Sequence, residues 1–396
     1  MIMATDNKDK VLNVPNLRFP EFGEEWEKCN VGELLEFYST NSLSWEQLDY
    51  NGNGIRNLHY GLIHVGLPTL VDTDKVNLPY IKDGNIPRNY TLCQNGDVAF
   101  ADASEDTEEV AKAVEFTNVG EIPIVSGLHT IHGRDILNKT VTGFKGYAFA
   151  APSFHNQIRR IAQGTKIYSI NSKNFNECHI GIPSRAEQTK IVSLLTLLDE
   201  RIVTQNKIIS NLQSLIKGLY EKCFNEVEGE IHELGNLCQI TKGQQINGEK
   251  LTTDGDYYVM NGGIEPSGYY HDFNTPSNTI SISEGGNSCG YIQLNHVPFW
   301  SGGHCYTLLS PTISVNYLYH YLKCKESDIM NLRIGSGLPN IQKKDLFRFG
   351  VIIPSKSEQD RLSDCFSFIS QKIEHEQSIL QKYYLQKQHL LHTMFI

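Results

Sequence analysis

Apolar residues recur in alternating steps of four and three at Ile191, Leu195, Leu198 and Ile202, then, after a polar interruption at Gln205, at Ile209, Leu212, Ile216, Leu219 and Cys223. That alternation is the seam of a long helix packed on another helix. The pattern returns 171 residues later at Leu362, Phe366, Ile369, Ile373, Glu376, Leu380, Tyr383, Lys387, Leu390 and Met394, with Glu376 in the place of Gln205. The chain therefore contains an internal repeat. No third segment has a comparable seam, so the economical partner for each helix is the other.

Both helices start the same way. "IGIPSRAEQ" from Ile180 and "VIIPSKSEQ" from Val351 place Ser184 and Ser355 after a proline and three residues before Glu187 and Glu358. This is capping-box spacing, in which serine accepts from a first-turn amide and glutamate reaches back to the serine's own amide. Ser184, Glu187, Ser355 and Glu358 are thus expected to be helix caps.

Before each helix lies a long segment of short β-prone runs broken by Gly and Asn. "YGLIHVG", "GDVAFAD" and "EIPIVSG" read as strands in the first segment. In the second, "DYYVMNGG", "NTISISEGG", "CGYIQL" and "CYTLLS" read as strands and "VNYLYHYLKCK" as a short helix. The edges of the two segments echo each other. "VGELLEF" from Val31 matches "LGNLCQI" from Leu234, and Ser126-Gly127-Leu128-His129 resembles Ser301-Gly302-Gly303-His304, while the interiors differ. The division expected is a polar tail (1–16), a mixed, β-rich domain (17–182), a helix (183–226), a second such domain (227–353) and a second helix (354–396).

Bulk properties narrow the function. The 396-residue chain can hold two domains with their own cores, and its 40% hydrophobic content is that of an ordinary globular protein. Its polar start and lack of a long apolar run give no reason to expect a signal peptide or membrane span. Nine cysteines without a C-x-x-C pair suit free thiols in a reducing cytoplasm, where the protein is expected. A net charge of −10 means that, if the chain binds nucleic acid, partners must supply much of the phosphate neutralisation.

Catalytic signatures are lacking. There is no Asn/Asp-Pro-Pro-aromatic run for amino-group methylation, no G-x-S-x-G elbow and no H-E-x-x-H pair, and "GQQINGEK" departs from a phosphate loop at both its lysine and the position after it. No metal site is expected. His304 and Cys305, adjacent in a strand, point to opposite faces and read as core positions. Side chains suited to base edges and stacking are present, however: Lys242, Gln244, Gln245, Asn247 and Lys250 in one glycine-punctuated loop, Tyr269, Tyr270 and His271 beyond it, and Arg56, Asn57, His59, Tyr60, Ser104 and Glu105 in the first segment.

Two variable segments, each followed by an "IPSxxEQ" helix, an opening "LRFPEFGEEWE" from Leu17 and a "SGLPNI" ending at Ile341 resemble the DNA-specificity subunit of type I restriction-modification systems. The likeness runs from Leu17 to the end. It implies an α+β fold in which two target recognition domains are separated by two long antiparallel helices forming a coiled coil, with internal pseudo-two-fold symmetry. Each domain would read one half of an asymmetric bipartite site in double-stranded DNA. The helices would set the spacer and dock two methyltransferase subunits, with restriction and translocase subunits in the full complex. S-adenosylmethionine, ATP and Mg would be bound by those partners, leaving this chain non-catalytic and free of cofactors. The acidic charge motivates an alternative, a two-domain adaptor whose coiled-coil spacer binds proteins and not DNA.

Overall fold

The computed structural model describes residues 13–396 except Ser336 and Leu338, so most of the expected N-terminal tail lies outside the described residues. The chain forms two compact units, residues 1–204 with 380–396 and residues 205–379. Two helices, Arg185–Glu226 and Lys356–Thr393, are each divided between them. Among the described residues no helix is long and apolar enough to cross a membrane.

All twenty seam positions are buried or half-buried. In the first unit Ile191, Leu195, Leu198 and Ile202 join a core that holds Leu390 and Met394, with Leu380 and Tyr383 packed against it. In the second unit Phe224 stacks on Phe366 at 5.3 Å, beside Tyr220 and Leu362. The beginning of each helix thus meets the end of the other, an antiparallel pairing. The matched polar positions touch: Gln205 Nε2 donates to the Glu376 carbonyl at 3.0 Å and to its carboxylate. Lys372 Nζ, 2.5 Å from Glu376 Oε1, is the main reason that this carboxyl titrates below the usual range.

The helix starts amend the capping expectation. Ser184 and Ser355 do accept from the amides of Glu187 and Glu358, at 3.4 and 3.3 Å. The glutamate side chains are engaged elsewhere. Glu187 is buried and takes both arms of Arg18 at 2.7 Å each, while Glu358 pairs with Arg361 one turn on. A two-pronged guanidinium bond is stronger than a return bond to a neutral amide, so it wins.

The following glutamine is the more informative residue. Gln188, fully buried, accepts from Val141 N at 2.8 Å and donates to the carbonyls of Pro183 and Lys139 at 2.9 and 3.0 Å. Its repeat, Gln359, donates to the Pro354 carbonyl at 3.1 Å and faces Ser314 N at 3.4 Å. Each glutamine pins the first turn of a long helix to the domain before it.

The two domains share a frame. Strands Glu27–Asn30 and His179–Ile182 pair antiparallel in the first, and Glu230–Glu233 and Gly350–Ile353 do so in the second. A one-turn helix follows the entry strand in both, Val31–Leu34 and Leu234–Leu237. The next strand joins a central antiparallel array: Leu35–Tyr38 beside Thr130–Asp135 and Val98–Ala101, and Gln239–Lys242 beside Cys305–Leu309 and Thr279–Ser283. A parallel pair completes the match, Ile124–Ser126 on Arg56–Leu58 and Trp300–Ser301 on Tyr257–Met260. The first core is filled by Phe100, Phe149, Phe154 and Phe175, and the second by Ile280, Ile282, Tyr306, Leu308 and the helix Val315–Cys324.

One element differs from its sequence pattern. "YGLIHVG" folds as a helix, Tyr60–Val65, because His59 Nδ1 accepts from Gly61 N and Gly66, at φ +123°, supplies the turn that ends it.

Candidate nucleic-acid interface

In the second domain the sequence-predicted loop lies along the Ser301–His304 turn. Gly243 N donates to the Cys305 carbonyl at 2.9 Å, Gln244 N to the Ser301 carbonyl at 2.8 Å, and Trp300 Nε1 to the Gln244 carbonyl at 2.9 Å. A Cβ on residue 243 would come within 2.3 Å of the Gly302 carbonyl, so glycine is what lets the two backbones meet. Tyr270 packs edge-on against Trp300 at 5.2 Å, with His271 4.0 Å from Tyr270. Lys242, Gln244, Gln245, Tyr270 and His271 are thereby gathered on one face with two residues missed in the sequence reading, Trp300 and His304.

Beneath them sits the largely buried Glu284. It pairs with Lys242 at 2.6 Å, accepts from the Tyr306 hydroxyl at 3.2 Å and lies 3.7 Å from His304 Nδ1. Burial, and next the nearby carboxylate, push the Tyr306 phenol up to about 12. Cys305 is buried as a core position, whereas His304 points outward. The other candidates hold different places. Asn247 caps the short turn Gly248–Lys250 through Glu249 N, Lys250 ends it exposed, and Tyr269 alternates to the opposite face of its strand from Tyr270.

The first domain keeps fewer of its candidates on the surface. Asn57 is fully buried and accepts from Asn41 at 2.7 Å. His59 is buried under Trp45, with ring centroids 4.3 Å apart, and burial pushes its pKa down. Arg56 bonds the Thr73 carbonyl at 2.8 Å and lies 5.5 Å from the centre of the Tyr80 ring. Asn57 and His59 are therefore not surface groups, and Arg56 is tied into the structure: the parallel strand Ile124–Ser126 draws Arg56–Leu58 into a sheet, and Trp45 covers His59. Tyr60 stays half-exposed with its ring edge-on to His129 at 5.2 Å, and His129 Nδ1 meets Asp102 Oδ1 at 3.1 Å. Ser104 accepts from Asp106 N beside exposed Glu105.

Both faces join polar heads to aromatic rings, an arrangement suited to recognition. A family model described as the type I restriction modification DNA specificity domain matches residues 226–382. A Mycoplasma pneumoniae protein named as a type I specificity subunit is 36% identical over 152 residues, 37% of this chain and 40% of that protein. A similarly named Mycoplasma genitalium protein is 31% identical over 164 residues, 40% of this chain and 43% of that one. The chain thus matches well under half the length of these relatives. In fold the likeness is broader. The crystal structure of a type I restriction-modification S subunit from M. genitalium aligns with 97% of this chain and 99% of its own at a TM-score of 0.64 and 20% identity. A chain from a structural study of type I complex assembly aligns with 92% of this one and 96% of its own at a TM-score of 0.55 and 15% identity. Residues 226–382 accordingly match the model of the type I restriction modification DNA specificity domain, in a chain whose fold is similar to that of the S subunit over nearly its whole length.

Proposed function

We propose that this chain is the DNA-recognition subunit of a type I restriction-modification complex. Each domain reads one half of an asymmetric, bipartite duplex site. The two long helices set the spacer and dock two methyltransferase subunits, which bring S-adenosylmethionine, while ATP and Mg belong to restriction and translocase subunits. The chain itself recognises and does not catalyse.

The observation that carries this reading is the duplication of the frame around dissimilar faces. Entry strand, one-turn helix, central array, parallel pair and glutamine-pinned helix recur in both halves, whereas most of the exposed side chains do not. A duplicated frame suits two halves of one duplex and two copies of a partner. Divergent faces suit two different half-sites.

The test is a domain exchange. Replacing Leu234 to Ile341 with the corresponding segment of another S subunit, and sequencing the methylated genome, is expected to change one half of the methylated site and leave the other intact. A change in both halves refutes the modular reading. A wild-type complex that binds no duplex at any salt concentration would instead favour the protein-binding adaptor.

A further inference from the structure

The interiors of the two domains share little sequence, yet one exposed feature occurs in both at the same place in the fold. The Ser-Gly-x-His turn enters the central strand in each, with Gly127 N on the Leu58 carbonyl and Gly302 N on the Met260 carbonyl, both at 2.8 Å. The residue just past the neighbouring strand is acidic in each, Asp102 after Val98–Ala101 and Glu284 after Thr279–Ser283. Its amide donates to the histidine carbonyl, at 3.1 Å for Asp102 and 2.9 Å for Glu284, and its carboxylate faces that histidine's Nδ1. The strand registers agree as well, Thr130 opposite Ala101 and Cys305 opposite Ser283.

Core residues recur in a duplicated fold because packing demands it. These imidazoles are not core: His129 and His304 are 50% and 64% exposed. His129 also holds φ at +52°, a left-handed backbone in which a side chain is uncommon and costs about 1 kcal/mol or more. Loop stability alone would favour glycine there.

We propose that His129 and His304 are equivalent phosphate-contact residues, one in each domain, that fix its register on the DNA backbone. This rests on the recognition function proposed above. Phosphate is the ligand because the surroundings differ where the histidines agree. A contact retained by two domains that read different bases is a contact to what all sequences share, and phosphate contacts position a protein without specifying sequence. The carboxylate at Nδ1 orients the ring, and Nε2 is left to face the duplex. With a carboxylate on one nitrogen and a phosphate oxygen on the other, both nitrogens donate.

The test uses the full chain co-purified with its methyltransferase partner, binding duplexes with and without the methylated site across about 50 to 300 mM salt. His129→Gln or His304→Gln is expected to weaken binding roughly fivefold to every duplex and to flatten the slope of log K against log salt by up to about 0.9, with half-site preference intact. His129→Lys and His304→Lys, which keep a cation, should restore the slope, a result that a purely structural role would not produce. The lysine variants also decide the matter should a glutamine variant fail to fold, as monitored by circular dichroism. Unchanged affinity and slope in folded glutamine variants overturn the proposal, as does an altered base preference at one half-site, which would make the histidine a base reader. A wild-type complex that does not distinguish the two duplexes overturns the recognition function itself, and this proposal with it.

Discussion

Acid should destabilise the second unit through one residue. His320, on the helix Val315–Cys324, is buried between Tyr220 and Phe366, with Nδ1 2.8 Å from the Tyr220 hydroxyl and Nε2 3.2 Å from Ser367 Oγ. Burial pushes its pKa from 6.5 down to about 4. Above pH 6.5 the ring is neutral whether folded or unfolded, and it contributes no pH dependence. Between pH 6.5 and about 4 the unfolded chain takes up a proton that the folded chain refuses, so stability falls by about 1.4 kcal/mol per pH unit, to a total of about 3 kcal/mol. Below that the loss is complete and the slope from this residue vanishes.

Comparison with His320→Gln isolates the effect from other titrating groups. The variant keeps a polar side chain but loses one good hydrogen bond, about 1 kcal/mol, at pH 7.5. Lacking the buried imidazole, it should be the more stable protein at pH 4, and the two stability curves should cross roughly between pH 5 and 6. Native-state hydrogen exchange of amides in Val315–Cys324, corrected for intrinsic rates, measures the local free energy without requiring the two units to unfold together. Parallel curves for the two proteins, or an NMR titration placing His320 near 6.5, would refute the reasoning.

Two further predictions concern the helix starts. Gln188→Ala strips partners from buried main-chain groups and should cost roughly 2–3 kcal/mol, whereas Gln359→Ala, with its one long bond, should cost about 1–2 kcal/mol; urea denaturation of both variants measures the difference. Equal losses would mean that the clamps are not the source. Arg18→Ala leaves the Glu187 carboxylate buried without its partner and should lower stability by on the order of 3 kcal/mol, seen as a clear drop in melting temperature. A loss within 0.5 kcal/mol, the usual range of surface substitutions, would show that Glu187 finds water instead.

Local periodicity made the helices legible. Twenty seam positions, two cap serines and a polar interruption could be read because each depends on neighbours a few residues away. The strands of the second domain were readable from alternation and glycine turns, as was its short helix. What escaped notice depends on distant partners. Nothing near Glu187 shows that Arg18, 169 residues away, will claim it. Asn57 and His59 look like surface polar groups until sheet pairing encloses the one and Trp45 covers the other, and the His59 cap converts "YGLIHVG" from strand to helix. His304 was within reach, since its likeness to His129 was visible. Its neighbour Cys305 drew the pair toward a core reading that holds for only one of them.

The glutamine clamps grip only main-chain atoms: Val141 N, the carbonyls of Lys139 and Pro183, the Pro354 carbonyl and Ser314 N. A joint of this kind is blind to the side chains it holds. Any non-proline residue offers the same amide, and every residue the same carbonyl. Domains of different sequence can therefore present the same joint, although side chains packed beyond it, such as Tyr147 on Asp199 and His320 on Tyr220, must still match the helices. Side chains that face away from the joint can change while this main-chain fitting stays constant.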